Sequence, residues 1–137
     1  MSTHTAARPK GQPTAARTGT APAGRAKLRY LGTSAQKTRL VVDQIRGQQV
    51  DSAFAFLRHC KKGVAADILK LLRSAVANTE NGPEGAMLDT ADLYVSRAQV
   101  DQGPSLKRIQ PAPMGRAYPI LKRQCHVTIE LAARNRK

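Results

Sequence analysis

Three segments of the chain place apolar residues at the spacing of an amphipathic helix. In the first segment, Thr33 or Ser34 is suited to cap the helix, and Gly47 is suited to end it. The buried face of this helix is predicted to comprise Thr38, Val41, Val42 and Ile45. The cations that fall off this face, and are therefore expected to be exposed, are Lys37, Arg39 and Arg46.

The second and third helices follow directly. The second is predicted to begin at Val50-Asp51, with Asp51 as its cap, and to end at Cys60. The third is predicted over residues 64–80, where apolar residues recur at intervals of three and four. Asn81-Gly82-Pro83 then terminates it, because this sequence favours a turn.

Outside the helices, alternation of apolar and polar residues predicts strands. Lys27–Leu31 is the first strand, with Leu28 and Tyr30 on one face, and Leu93–Val100 is the second. In Cys125–Leu131 every odd residue is apolar and every even residue is polar, so this strand should lie on a core with its other face open. The order of elements predicts an α+β fold, in which three helices pack on a small antiparallel sheet.

The segment from Leu106 to Gln124, which links the last two strands, contains no acidic residue. A structureless connection of this length is unusual inside a domain, so we favour a long hairpin that leaves the body. Its arms would be Ser105–Gln110 and Tyr118–Arg123, with the turn at Ala112–Arg116. Pro111, Pro113 and Pro119 are expected to remove ladder donors, and together with unopposed cations they should leave such a ribbon poorly ordered without an anionic surrounding. The residue pattern leaves open the alternative of a mobile basic loop without a specific ligand.

The charge of the chain indicates its class of partner. There are 23 Lys and Arg against 9 Asp and Glu, a formal net charge of +14. Residues 28–101 hold ten basic and eight acidic residues, whereas residues 102–137 hold eight basic residues and only Glu130. This balance is unusual for an enzyme and favours a polyanion as partner. Because aromatic residues make up only 4% of the chain, phosphate contacts are favoured over base stacking as the main mode of binding.

Residues 1–25 are predicted to form a disordered basic tail. They contain no Val, Ile, Leu, Phe or Tyr, so they cannot bury enough apolar area to offset the entropy of ordering. A mitochondrial presequence is also basic and acid-poor, but it would be expected to carry larger apolar residues.

Catalytic and metal-binding constellations are not visible in the sequence, and we expect no enzymatic activity, metal or cofactor. Cys60 and Cys125 are far apart and are predicted to be reduced thiols. His59 beside Cys60 has no second ligand pair at metal-binding spacing. Cys125 and His126 would point to opposite faces of a strand, which argues against a nucleophilic dyad. The apolar runs fall short of the roughly 18 residues of a membrane span, so no membrane partner is expected.

Four segments carry a resemblance to a known family. They lie in the first helix, the third helix, the strand that enters the hairpin, and the hairpin tip with its returning strand. The segments are Lys37–Gly47, Leu72–Asn78, Tyr94-Val95 with Val100–Arg108, and Gly115–Ala117 with Lys122–Thr128. Together, in order and at consistent spacing, they resemble the bacterial L22 family of large-subunit ribosomal proteins over residues 26–131.

The resemblance implies an α+β domain over residues 26–133 that binds large-subunit rRNA, with an extended hairpin at 104–124 and a basic C-terminal end at 134–137. It further implies that the body lies near the peptide exit of a cytoplasmic ribosome and that the hairpin lines the nascent-peptide tunnel. The implied partners are rRNA, neighbouring ribosomal proteins and the nascent peptide, without catalysis, cofactor or homo-oligomer. The tip departs from the usual Arg-Pro-Arg-Ala-Arg-Gly-Arg-Ala, since Gln110–Ala117 keeps one arginine of four. The tip is therefore expected to contact fewer phosphates.

The candidate RNA-binding residues are exposed cations and one histidine on these elements. They are Arg29, Lys37, Arg39, Arg46, Lys107, Arg108, Arg116, Lys122, Arg123 and His126. The tunnel-facing tip is predicted to comprise Pro113, Met114, Gly115 and Arg116. Plain solvation is the alternative for each cation. For the whole chain, the alternative is a free-standing nucleic-acid architectural protein.

Overall fold

The elements follow one another in the order strand, three helices, two strands in a computed structural model that describes residues 23–82 and 90–134. Their bounds are Gly24–Leu31 (β1), Ala35–Ile45 (α1), Val50–His59 (α2), Val64–Glu80 (α3), Leu93–Pro111 (β2) and Ala117–Ala133 (β3), with a short 3₁₀ helix at Thr90–Asp92. This arrangement confirms the predicted α+β fold. Most of the predicted tail, including residues 1–22, lies outside the described residues.

The described strands form an antiparallel sheet in the order β1-β3-β2, so β3 is central and pairs on both sides. In the body part of β3 the odd residues are buried against the helices, as the alternation predicted; Cys125, Val127, Ile129 and Leu131 are fully buried. The predicted face of α1 is buried as well, from Thr38 to Ile45. The Thr38 hydroxyl lies 3.4 Å from the Cys125 Sγ, which gives this buried polar atom a partner across the helix–sheet interface.

The helix ends resolve two sequence predictions. Ser34, rather than Thr33, caps α1, since its side chain accepts a hydrogen bond from the Lys37 N–H. The prediction that Asp51 caps α2 is wrong, because Gln49 is the N-cap and Asp51 lies in the first turn. The buried face of α2 already begins at Val50, and the carbonyl of Gln49 accepts the first helical bond from Ala53. In the first turn, the Asp51 carboxylate still interacts favourably with the helix dipole.

Strand β1 starts earlier than predicted and contains a bulge before its predicted end at Leu31. It begins at Gly24, two residues before the predicted domain boundary, and Gly24 packs directly on Thr79 of α3. The register shifts between Leu28 and Leu31, so an extra residue of β1 bulges out of the ladder. Leu28 and Leu31 therefore pack against the core, and Tyr30 is 59% exposed with a φ of 58°. The prediction that Leu28 and Tyr30 share a face is wrong because of this bulge.

The hairpin continues the body strands without a break, instead of forming separate short strands. Strands β2 and β3 stay paired from Leu93↔Ala133 to Pro111↔Ala117, and the turn at residues 112–116 is confirmed. One irregularity lies at the exit from the body, where β2 has an extra residue at Gly103-Pro104 opposite Gln124. A Cβ on Gly103 would lie 3.2 Å from the backbone of Gln124, so a side chain is difficult to accommodate there. This bulge marks the boundary between the body and the hairpin.

The prolines of the hairpin remove fewer hydrogen bonds than their number suggests. The Ala112 N–H donates to the Arg116 carbonyl at 2.8 Å, so this pair is a hydrogen-bonded one. Hydrogen-bonded and non-hydrogen-bonded pairs alternate along an antiparallel ladder. Pro111 and Pro119 therefore both lie in non-hydrogen-bonded pairs, opposite Ala117 and Ile109, where a backbone N–H would point to solvent. The expectation that these prolines remove ladder donors is wrong for this reason.

The remaining predictions on the body concern the thiols and the helix lengths. Cys60 and Cys125 are both free thiols, as predicted, and Cys125 is buried in the core. None of the described helices is long and apolar enough to cross a membrane.

Candidate nucleic-acid interface

The hairpin carries cations on both of its faces. Residues directly opposite each other in the ladder share a face, and successive residues alternate between faces. One face therefore carries Leu106, Arg108, Gln110, Tyr118, Ile120 and Lys122, and the other carries Ser105, Lys107, Ile109, Pro119, Leu121 and Arg123. The four stem cations predicted to bind RNA are divided equally between the two faces. A single flat anionic surface on one side of the ribbon would leave half of them unpaired.

These hairpin cations have no acidic partner among the described residues. Each described salt bridge involves Arg25, Arg46 or Arg97, and none involves a residue of the hairpin. Within the hairpin, the Arg108 side chain donates only to the neighbouring Lys107 carbonyl, at 2.8 Å. Large apolar side chains are exposed beside them, with Ile109 at 78% and Met114 at 95%. Uncompensated charge and exposed apolar area on one ribbon are features of a surface that a partner covers.

Two adjoining grooves lie where the hairpin leaves the body, beside the N-terminus of α1. We call them together the stem groove, and they share Ser34 and Arg123 in their walls. The cations that line the stem groove are Lys37, Arg39, Lys122 and Arg123. Its lining contains no Asp or Glu, and the first turn of α1 has no acidic residue. The positive end of the helix dipole therefore adds to the potential of the side chains, which suits a phosphate group.

Arg39 and Arg46 make contacts that the sequence did not predict. Both are exposed, as expected, but Nε and Nη2 of Arg39 donate to the Val100 carbonyl at 3.3 and 3.0 Å. Arg46 makes the same pair of bonds to the Ala98 carbonyl at 3.3 and 2.8 Å. Because β2 is an edge strand, these outward carbonyls have no strand partner, and the two arginines fasten α1 along that edge.

The two arginines differ in the uncompensated charge and the unused hydrogen-bond donors that they can offer a ligand. Nη2 of Arg46 also forms an ion pair with Asp43 at 2.9 Å, so its charge is balanced within α1. Arg39 has no acidic partner among the described residues, and its Nη1 makes no hydrogen bond to them. Arg39 is therefore the better candidate for a phosphate contact, and Arg46 lies apart from the stem groove at the other end of the helix.

Arg29 and His126 lie away from the stem groove. His126 is an even residue of β3, so its side chain is on the open face of the sheet, opposite to the helices. Its Nδ1 accepts a hydrogen bond from the Tyr30 N–H at 2.9 Å, and the two rings meet edge to face with centroids 4.9 Å apart. This bond leaves the Nε2–H as the donor that a ligand would meet. Arg29 is exposed at the adjacent bulge of β1.

The tip is a tight turn with strained backbone. The Arg116 N–H points to the Pro113 carbonyl at 3.4 Å, and the two residues between them, Met114 and Gly115, have φ of 60° and 68°. Positive φ at both central positions is typical of the turns that connect two-stranded hairpins. The glycine adopts this conformation without penalty, but the methionine does not. Arg116 is exposed beside them, as predicted.

The open face of the sheet also carries three cations that were not among the predicted RNA-binding residues: Arg25, Lys27 and Arg97. A signal for two of them is present in the sequence, because Gly24, Ala26 and Leu28 alternate with Arg25, Lys27 and Arg29 along β1. The predicted boundary between the tail and the first strand falls inside this alternation and divides it, which conceals the continuous row of cations.

Comparison with known proteins agrees with this architecture. The model of the family described as ribosomal protein L22p/L17e matches residues 26–132 of the chain. The match begins within β1, ends within the last residues of β3 and includes the whole hairpin.

Similar curated proteins carry the name large ribosomal subunit protein uL22. The one from Heliobacterium modesticaldum is 48% identical over 112 residues, which cover 82% of this chain and 78% of that protein. The one from Clostridium novyi is 46% identical over 110 residues, with coverage of 80% and 96%. The one from Magnetococcus marinus is 51% identical over 105 residues, with coverage of 77% and 90%. With this identity across most of both chains, the chain belongs to the ribosomal protein L22p/L17e family.

Proposed function

We propose that this chain is an rRNA-binding structural constituent of the large ribosomal subunit, and that its hairpin is enclosed by RNA. Membership of the family supports the role in the large subunit, in a cytoplasmic ribosome, and supports the absence of an enzymatic activity. The finer part of the proposal is the RNA contact itself. The observation that carries it is the placement of Lys107, Arg108, Lys122 and Arg123 on both faces of the hairpin without acidic partners among the described residues.

The geometry favours RNA on several sides of the ribbon. Lys107 and Arg123 extend from one face, and Arg108 and Lys122 extend from the other. Two strands without a third layer give no core of their own, so the ribbon gains little stability from its own contacts. Phosphate groups on both sides would neutralise the repulsion between the cations. The apolar side chains between the cations would become shielded from water at the same time.

The stem groove extends this interface onto the body. Lys37 and Arg39 of α1 line it together with Lys122 and Arg123, so one phosphate strand passing along the groove would meet cations from both the helix and the hairpin. Such contacts fix the orientation of the protein on RNA without reading its sequence. The family relationship favours this function over a free-standing architectural protein.

The tip is proposed to face the nascent-peptide tunnel, with the body near the peptide exit. Pro113, Met114 and Gly115 carry no charge, and Met114 is 95% exposed at the end of the ribbon. Arg116 is the single cation of the turn, and we assign it to RNA at the tunnel wall. A flexible, polarisable methionine suits a surface past which many different peptides move.

The RNA contact is tested by replacing Lys107, Arg108, Lys122 and Arg123 together with Gln. Binding to a large-subunit rRNA transcript is then measured as a function of KCl concentration. The slope of log affinity against log salt is expected to become less steep by about 0.7–0.9 for each phosphate contact that the substitutions remove. A matched variant removes the same charge from the helical layer, at Arg58, Lys61, Lys62 and Lys70. Equal slopes for the wild type and the hairpin variant would contradict the proposal.

The assignment to the ribosome is tested by sucrose-gradient fractionation of the full-length chain. Co-migration with the large subunit after a high-salt wash is expected. Release into the free pool at moderate salt, with equally tight binding to duplex DNA, would instead favour the architectural protein.

A further inference from the structure

The face of the sheet opposite to the helices is polar and positively charged in the described part of the chain. Its exposed cations include Arg25, Lys27 and Arg97, and its acidic residues include Glu130 and Asp101. No large aliphatic side chain of the body strands is exposed there. The face is therefore suited to an anionic partner and not to an apolar one.

A row of three charged residues crosses the sheet on this face. Glu130 of the central strand pairs in register with Arg25 on one side and Arg97 on the other. Its carboxylate lies 3.5 Å from the Arg25 Nε and 3.9 Å from the Arg97 Nη1. The carboxylate is only 16% exposed, whereas the two arginine side chains are 61% and 56% exposed. One carboxylate thus orients two guanidinium groups, and most of their donors remain directed to solvent.

The strand that carries two of these cations is held firmly in place. Gly24 packs on Thr79 of α3, and a Cβ there would lie 2.7 Å from the Ala75 carbonyl. Asn78 of the same helix donates to the Arg25 carbonyl at 2.9 Å. Strand β1 is therefore fixed from the helix side, while Arg25 and Lys27 extend from the other side. The side chain of Lys27, in the next row, makes no hydrogen bond or ion pair with the described residues.

The open face is continuous with the hairpin. The side chains of the even residues of β3 lie on it. Along the strand, these residues extend from Glu130 on the body through His126 to Lys122 on the hairpin. Beside His126, the exposed Tyr30 is held at a φ of 58° by its N–H bond to Nδ1. A phosphate strand on the open face would thus meet cations at both ends of this path, on the body and at Lys122, and would pass Asp101 beside His126 between them.

We infer that the open face is a second binding surface for the RNA phosphate backbone, with Arg25, Lys27 and Arg97 as its contacts. The inference rests on the proposed RNA-binding function and adds a surface on the opposite side of the sheet from the stem groove. The Cα atoms of the three residues lie within about 12 Å of one another, from strand spacings of about 4.8 Å and a rise of about 3.3 Å per residue. The body is then held between RNA segments on two sides.

The test replaces Arg25, Lys27 and Arg97 together with Gln in the full-length chain. The salt slope for a large-subunit rRNA transcript should become less steep by about 0.7–0.9 per phosphate contact, as for the hairpin variant. The matched variant replaces Arg58, Lys61 and Lys62, which lie at the end of α2 and beyond it. An equal change in both variants would show an effect of net charge alone and would overturn the inference.

Two further arms keep the test decisive. Because removal of two arginines leaves Glu130 without its partners, thermal melting checks the fold, and Lys27→Gln alone supplies a variant without internal side-chain contacts. This single variant should make the salt slope less steep by about 0.7–0.9. If the salt slope becomes less steep in the hairpin variant but not in the open-face variants, the inference is wrong and the proposed function stands. If the salt slope is unchanged in both sets of variants, the inference and the proposed function are both wrong.

A crosslinking experiment identifies the partner directly. A photoreactive residue at Gln99, which is exposed and pairs with Thr128 in the row of Lys27, is introduced into the chain within assembled large subunits. Crosslinks to rRNA are expected. Crosslinks mainly to a neighbouring protein would overturn the assignment of this face to RNA.

Discussion

The body and the hairpin are built from the same two strands, yet they are stabilised in opposite ways. In the body, the inner faces of β2 and β3 are covered by three helices, and residues such as Val95 and Ile129 are fully buried. Beyond Gly103, the same strands continue without a covering layer, and their cations and apolar side chains are exposed on both faces. The change occurs at one bulge, within two residues of sequence.

This difference separates folding from binding within one short chain. The body buries its apolar area internally, and its buried side-chain polar atoms all have hydrogen-bond partners among the described residues. The hairpin has neither a core nor, in the described part of the chain, internal ion pairs, so we expect its conformation to depend on what surrounds it. Substitutions in the body should therefore change the free energy of unfolding, and substitutions in the hairpin should change affinity for RNA.

The largest expected change in the free energy of unfolding comes from comparing the same substitution, isoleucine to alanine, in the body and in the hairpin. Ile129→Ala, on the buried face of β3, should lower the free energy of unfolding by about 2–5 kcal/mol, because it leaves a cavity. Ile109→Ala, at a position that is 78% exposed on the hairpin, should change it by less than about 0.5 kcal/mol. Urea denaturation of both variants provides the comparison. Similar decreases would mean that the hairpin is part of the cooperative core.

The contact of β1 with α3 gives the next largest effect. Gly24→Ala places a methyl group against Thr79 and 2.7 Å from the Ala75 carbonyl oxygen, so the strand or the helix must shift. Overpacking of this kind should cost about 1–3 kcal/mol in thermal or urea unfolding. Gly32→Ala is the matched control, since a Cβ there meets nothing within 4 Å. A neutral result at both glycines would show that β1 is not pressed on the helix.

Much of the body was predictable from the sequence because its signals are periodic. The faces of α1 and α3 and the inner face of β3 follow from apolar spacing, and each is buried as predicted. The hairpin turn was predictable for another reason, since Gly115 and the flanking prolines restrict where the chain can reverse. These signals are local, and tertiary contacts reinforce them.

The features that escaped prediction depend on contacts between distant residues. Tyr30 adopts positive φ only because β1 must bulge to bring Leu31 back to the core, and no local rule favours tyrosine there. Spacing placed Arg39 and Arg46 on the outside of α1. It does not reveal that the edge of β2 lies next to them and offers two carbonyl oxygens. The stem groove could not be predicted from the sequence either, because its walls come from distant segments, the start of α1 and the hairpin stem.

Arg39 lies where the body meets the hairpin, and its substitution is expected to have an intermediate effect on the free energy of unfolding. Arg39→Ala removes two bonds to the Val100 carbonyl at the edge of β2, just before the bulge, and should lower the free energy of unfolding by about 1 kcal/mol. Arg39→Lys keeps the charge without the paired geometry. Because Arg39 also lines the stem groove, Arg39→Ala should weaken RNA binding as well, and Arg39→Lys should restore this binding more than it restores stability. Equal rescue of both would contradict this division.

The smallest effect concerns the tip and leaves the body unchanged. Met114 holds a φ of 60° next to Gly115, a conformation that costs a residue with a Cβ roughly 1–2 kcal/mol. Asparagine tolerates it better, and Asn-Gly is the preferred pair in this kind of turn. Met114→Asn should therefore stabilise the free hairpin by up to about 1 kcal/mol, which would slow amide exchange in its arms severalfold.

Met114→Val should have the opposite effect on the hairpin, because a branched side chain is less compatible with positive φ. Global unfolding should stay the same in both variants, since the tip contributes nothing to the core. Amide exchange in the arms, measured on the free protein, therefore separates the turn from the body. If exchange in the arms does not respond in either direction, the backbone of the turn does not control the order of the hairpin, and its surroundings alone do.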